Sequence, residues 1–145
     1  MSRQRRLTRL AEDGGQSLVE FALVVPLLLV LMVGLVDLGR GLQTYVGLAN
    51  ALREVAREAS VHGSGATEPW GPTDNDATVE ARVRARAAGL VAGDIGVTSS
   101  WPGGNNARGS EVVVAGTYVF RPIASGLISA ATLTFSSSTR ARIQR

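Results

Sequence analysis

Cysteine is absent from the 145 residues, so no disulfide, thiolate metal site or cysteine nucleophile is open to this chain. Lysine is absent too, and all 15 basic residues are arginine. The single histidine, His62, has neither cysteine nor a clustered carboxylate motif beside it and cannot build a zinc site. Asp74, Asp76 and Glu80 lack the EF-hand pattern and read as helix caps rather than ligands of a hard cation. There is no phosphate-binding glycine loop and no nucleophile elbow. The expectation is therefore no enzyme, no metal and no cofactor. Net charge is low, +3, and the surplus sits mostly in the first 15 residues. Without them 11 basic residues face 10 acidic ones, which argues against nucleic acid as a partner.

What the chain has is a long apolar run. Residues 21–36, FALVVPLLLVLMVGLV, carry no polar side chain, and between Leu18 and Leu38 only Glu20 and Asp37 are charged. As a helix this segment reaches roughly 30 Å, the thickness of a hydrocarbon core. Arg3, Arg5, Arg6 and Arg9 precede it, while Arg40 alone follows closely. That bias keeps the N-terminus cytoplasmic and sends the C-terminal part across the membrane. A cleaved secretory signal needs a shorter apolar core with a small-x-small site beside it; here DLGRGLQTY follows instead.

Helical periodicity continues past the run. Leu42, Tyr45, Leu48 or Ala49, Leu52, Val55 or Ala56, and Ala59 recur every three to four residues, with Arg53, Glu54, Arg57 and Glu58 off the stripe. One helix is thus predicted from about Leu18 to about Val61, apolar all round in its first half and amphipathic in its second. Residues 62–76 have loop composition. Residues 77–88 read as a helix capped by Asp76 and closed by Gly89, with Glu80 and Arg84 as an i,i+4 pair. A strand is the rival there, because Arg82, Arg84 and Arg86 alternate with Val83, Ala85 and Ala87; the helix is favoured by its Ala, Glu and Arg content. Strands are predicted at 95–99, 111–120 and 131–137, with TRARIQR as a polar edge or frayed end. Trp70 and Trp101, in the two Pro/Gly-rich loops, serve either as contact surface or as filling for a small core.

The stretch GGQSLVEFALVVPLLLVLMVGLVDLGR, residues 14–40, with NALREVAREAS, residues 50–60, resembles the TadE-like family of pilus-assembly pseudopilins, bitopic relatives of type IV pilins associated with tight-adherence (Flp-type) systems. The resemblance implies a prepilin-type leader cut after Gly15, which makes Gln16 the new N-terminus and Glu20 the fifth mature residue. It also implies a prepilin-type peptidase, other pilin or pseudopilin subunits and an inner-membrane assembly platform as partners, besides the lipid bilayer.

Physical arguments accompany these positions. Glycine at 15 removes the Cβ that would crowd a protease's approach to the backbone. A carboxylate at the membrane edge, Glu20, calls for pairing, and cleavage would create an ammonium four residues before it on the same helix face. Pro26 removes the hydrogen bond to the carbonyl of Ala22 and should bend or open the helix. Asp37 and Arg40, three apart, can pair and mark the outer membrane boundary.

The expected fold is α+β and pilin-like: a long N-terminal helix, transmembrane then amphipathic, packed on a small antiparallel sheet. The expected division is a cytoplasmic leader, 1–15, a transmembrane helix, 16–39, and an extracytoplasmic domain, 40–145. The expected role is a pseudopilin-like subunit of a tight-adherence, type IV-type or related secretion apparatus in the cytoplasmic membrane. The alternative is an unprocessed single-pass protein displaying a binding module outside that membrane.

Overall fold

The computed structural model describes residues 3–128 and 132–144, with side chains over 15–126 and 132–144. Two compact units divide the chain, Met1–Leu38 and Gly39–Arg145.

Helix α1 runs Arg3–Ala59 and enters both units. It starts well before the predicted Leu18, because RQRRLTRLAED is made almost wholly of good helix formers, so residues 3–17 are helical as well. The helix continues through Pro26. In the first unit the apolar run is uncovered: Phe21, Leu23, Leu27, Leu29, Leu31 and Leu35 are all exposed.

The second unit joins the rest of α1 to α2, Ala77–Arg86, a 3₁₀ turn at Ala92–Asp94, and strands β1, Ile95–Ser100, β2, Glu111–Phe120, and β3, Leu133–Arg142. A short helix α3, Ser125–Ile128, lies between β2 and β3. The sheet is antiparallel in the order β1-β2-β3. Register puts Val112, Val114, Gly116, Tyr118 and Phe120 on one face of β2, and that face meets α1.

The core consists of Leu48, Ala51, Leu52, Val55, Ala56 and Ala59 from α1, closed by Val112, Val114 and Tyr118 from β2 and by Val79, Val83 and Ala87 beside α2. The amphipathic half of the helix therefore packs on the sheet as expected, with one correction. Leu42 and Tyr45 are exposed. The buried line begins instead at Gly41, and Leu42 lies about 100° round the helix from it. Opposite Gly41 the sheet presents the ring of Phe135, whose Cζ would stand 3.4 Å from a Cβ at that position.

Residues 77–88 resolve in favour of helix. The Asp76 carboxylate accepts from the N–H of Thr78 at 2.7 Å and from that of Val79, and Arg84 pairs with Glu80 at 2.8 Å. Arg86 reaches Glu58 at 2.6 Å and Glu54 at 3.6 Å, and Arg82 stands 3.7 Å from Glu58. The acids that fall off the apolar stripe of α1 thus join it to α2.

Strand β3 corrects a second expectation. The predicted end at Ser137 gives way to a strand through Arg142, which pairs with Glu111. The following Ile143 is buried, its N–H bonded to the carbonyl of Ser110 at 2.8 Å, so residues 139–142 form a polar edge of the sheet and Ile143 joins the core. β2 offers ten residues of ladder, and leaving half of them unpaired would strand backbone donors and acceptors. Ala131, the first residue of the predicted strand, lies outside the described residues.

Both tryptophans are buried, so they fill the core rather than offer a contact surface. His62 stacks on Trp70 with ring centroids 4.5 Å apart, and its Nδ1 donates to the carbonyl of Glu68 at 2.8 Å. Gly71, at φ +74°, lets Trp101 approach so closely that a Cβ there would lie 2.4 Å from the indole.

Candidate processing and assembly site

Gly15, Gln16 and Glu20 lie on consecutive turns of α1 and are all exposed. Nothing lies within 4 Å of a Cβ built on Gly15, so its backbone is open from the side. The peptide bond between Gly15 and Gln16 is nevertheless helical, and a protease that takes an extended strand must first unwind it. Two adjacent glycines, Gly14 and Gly15, ease that step, since each weakens a helix interior by roughly 1 kcal/mol.

Four residues of helix separate Gln16 from Glu20, a rise of about 6 Å, which keeps the two on one face. An amine freed at Gln16 would be the cation nearest to Glu20 along its own helix. Pro26 lies between Glu20 and the middle of the apolar run, within uninterrupted helix.

At the other end of the run, Asp37 is buried, the one charged residue among those described to be so. Asp37 and Arg40 are both engaged in contacts. The Arg40 guanidinium stands 5.4 Å from the centroid of the Phe120 ring, a cation–π geometry that ties the start of the second unit's part of α1 to the end of β2. Next to it a groove is lined by Gln43, Tyr118, Asp94 and Arg121. Arg121 pairs with Asp94, whose carboxyl is held below its usual range by the hydrogen bonds from that guanidinium, and Arg40 adds a second positive charge to the groove's lining.

Among the described residues no group of three or more His, Cys, Asp or Glu could hold a metal ion, and α1 is the one helix long and apolar enough to cross a membrane by length and composition. Gly41 is a packing position that the sequence reading above does not single out. The signal that marks it is its spacing of seven from Leu48 on the buried line.

A family model described as TadE-like protein matches residues 15–57 and supports the family resemblance read from residues 14–40 and 50–60. The match begins at Gly15 and ends two residues before α1 does, so the likeness resides in the helix and leaves the sheet outside it. No curated protein and no solved structure matches the chain.

Proposed function

From the TadE-like character of residues 15–57, we propose that this chain is a bitopic pseudopilin-type subunit of a tight-adherence or type IV-type pilus, or of a related secretion apparatus. The observation that carries the reading is a helix whose residues 21–36 are apolar on every face and almost wholly uncovered in their own unit, while one face of its C-terminal part is buried under a sheet. A helix that is hydrophobic all round needs lipid or other helices about it. Its work is then association, with apolar helices bundling and outer domains selecting partners.

In this reading the arginine-rich leader holds the N-terminus in the cytoplasm and the unit from Gly39 onward lies outside. A prepilin-type peptidase cuts between Gly15 and Gln16, and the released amine neutralises Glu20 of its own or a neighbouring subunit. The unprocessed, membrane-anchored binding module is a second reading, and the helix that runs unbroken across Gly15 and Gln16 favours it.

Mass analysis of the N-terminus of the membrane-associated protein, from cells with active prepilin peptidase, separates the two. A form beginning at Gln16 supports the subunit. A form beginning at Met1 or Ser2 supports the anchored module.

A further inference from the structure

The two free edges of the sheet are finished differently. Asn75 donates its N–H to the carbonyl of Ser99 at 2.8 Å, and Asp76 donates its own to Ser99 Oγ at 2.9 Å, so the loop before α2 covers the edge of β1. Ile95 and Ser99 of that strand are buried. The edge of β3 has no such cover. Among the described residues no backbone group outside β2 bonds to Leu133–Arg142.

The register tells which groups that edge presents. Ile143 gives its N–H to Ser110 and accepts at its carbonyl from Gly109, so it faces β2. Successive strand residues turn their backbone groups to opposite sides. The odd residues of β3 therefore face β2, and Thr134, Ser136, Ser138, Arg140 and Arg142 turn theirs outward. Ser99 leads to the same parity, because its outward carbonyl leaves Val113, Ala115 and Thr117 facing β1 and the even residues of β2 facing β3. The ladder runs unbroken over ten pairs, so no bulge twists the edge away, and residues 133–142 hold neither proline nor lysine. An edge with none of these devices is a template for one more strand.

Charge specifies the strand. Residues 133–139 carry none, while Arg140 and Arg142 are exposed. Val113 lies across from Arg140 and Glu111 across from Arg142, yet among the described residues neither guanidinium is in an ion pair. We propose that the edge of β3 from Ser136 to Arg142 receives an extended acidic segment of a partner protein as a fourth, antiparallel strand, with carboxylates opposite Arg140 and Arg142. A second copy of β3 fits less well. Paired antiparallel it supplies no acid to either arginine, and paired in parallel it sets like charges side by side. The stretch lies wholly in the second unit and involves neither the apolar run nor the processing of Gly15.

The probe is the synthetic peptide Glu-Val-Glu-Val-Thr-Val-Thr, N-methylated at its valines so that only one of its edges can pair. Its glutamates fall opposite Arg142 and Arg140, and its last threonine opposite Ser136. Added to the full chain in detergent, it should slow hydrogen exchange at the amides of Ser136, Ser138 and Arg140 about tenfold or more. By fluorescence anisotropy, a peptide with arginine in place of both glutamates should bind about tenfold more weakly. Moving the methyl groups to the second glutamate and the first threonine should abolish binding. Ser138→Pro removes an N–H that the β2 ladder does not use, so thermal unfolding should be unchanged while peptide affinity falls about tenfold or more. Should that variant lose its fold, Arg140→Glu serves instead and should reverse the preference toward the arginine peptide. Equal binding of both methylation patterns, or no protection of β3 at millimolar peptide, overturns strand addition. Equal binding of the glutamate and arginine peptides overturns the acidic partner. Self-association of the chain that Ser138→Pro abolishes would make a second copy the occupant, and the proposal falls.

Discussion

Gly116 of β2 faces Leu52 of α1 so closely that a Cβ at position 116 would stand 3.0 Å from Leu52 Cδ2 and 3.3 Å from Leu48 Cδ1. At this point the side chains of Leu48 and Leu52 pack directly on the backbone of β2, with no strand side chain between. Gly116→Ala should therefore overpack the contact and destabilise the second unit by about 1–2 kcal/mol, since crowding a filled core outweighs the entropy gained by replacing glycine. Thermal unfolding in detergent, followed by fluorescence of the buried Trp70 and Trp101, measures it. In a Leu52→Ala background the same change should cost less, because the shortened side chain vacates the space.

Leu52 itself is fully buried, and the neighbouring Arg53 is exposed with its guanidinium on the Asn50 side chain at 3.1 Å. Leu52→Asp should place an unpaired carboxylate in the core and cost several kcal/mol, comparable to the stability of a small domain. Arg53→Asp should stay within roughly 0.5 kcal/mol. Limited proteolysis of the two full-length variants in detergent should show the first cleaved readily between residues 60 and 145 and the second as resistant as wild type. Equal resistance would contradict the helix-on-sheet core.

Asp76 gives a pH signature. Partial burial acts to raise its pKa, but hydrogen bonds from the backbone N–H groups of Gly71, Thr78 and Val79 outweigh that, and the carboxyl titrates below its usual value. A depressed folded pKa means the stabilisation is present above the unfolded value of about 3.9 and is lost as pH falls through the folded one. At pH 7 Asp76→Ala should cost about 1 kcal/mol, the usual effect of losing an N-cap. The gap between wild type and variant should be constant down to about pH 5 and narrow below about pH 4. A gap independent of pH would show that the carboxylate's charge plays no part.

These elements also show how far the sequence could be read. β2 was legible to the residue, because ten residues rich in Val, Thr, Tyr and Phe end at Arg121-Pro122. The start of α2 was legible as well, from an Asp76 cap and a Glu80–Arg84 pair that are local, although the helix ends at Arg86 rather than at the predicted 88. β3 was half legible. Its inward side chains, Phe135, Ser137, Thr139 and Ala141, are mostly small or polar, and what extends the strand is the ladder that β2 offers, a non-local fact. Leu42 and Tyr45 were misplaced for a similar reason: helical spacing allows several adjacent stripes, and the position of Phe135 over Gly41 selects among them. In the candidate site, Gly15, Gln16 and Glu20 are picked out by the resemblance to the TadE-like family, whereas the buried state of Asp37 has no signature in the sequence.

Glu20 is exposed on a helix whose neighbouring side chains are apolar. If its partner is the amine freed at Gln16, Glu20→Ala should leave cleavage and membrane insertion largely intact. It should reduce co-purification with other pilin-type subunits, since the carboxylate matters only once the amine exists. Undiminished recovery of those subunits would assign Glu20 to the lipid headgroups instead.

The buried line of α1 has a further consequence, for the order in which the protein can be made. Leu48, Leu52 and Val55 emerge early in synthesis, but their cover comes from Val112, Val114 and Ile143. Loop closure over some sixty residues precedes the packing of β2 on the helix, which slows folding. The last contact of the series is the N–H of Gln144 on the carbonyl of Ser60, at 2.7 Å. During elongation the helix thus carries a bare apolar face for most of the time needed to build the unit that hides it. That interval is when a chaperone has something to hold, and when a stalled or truncated chain is most prone to aggregate.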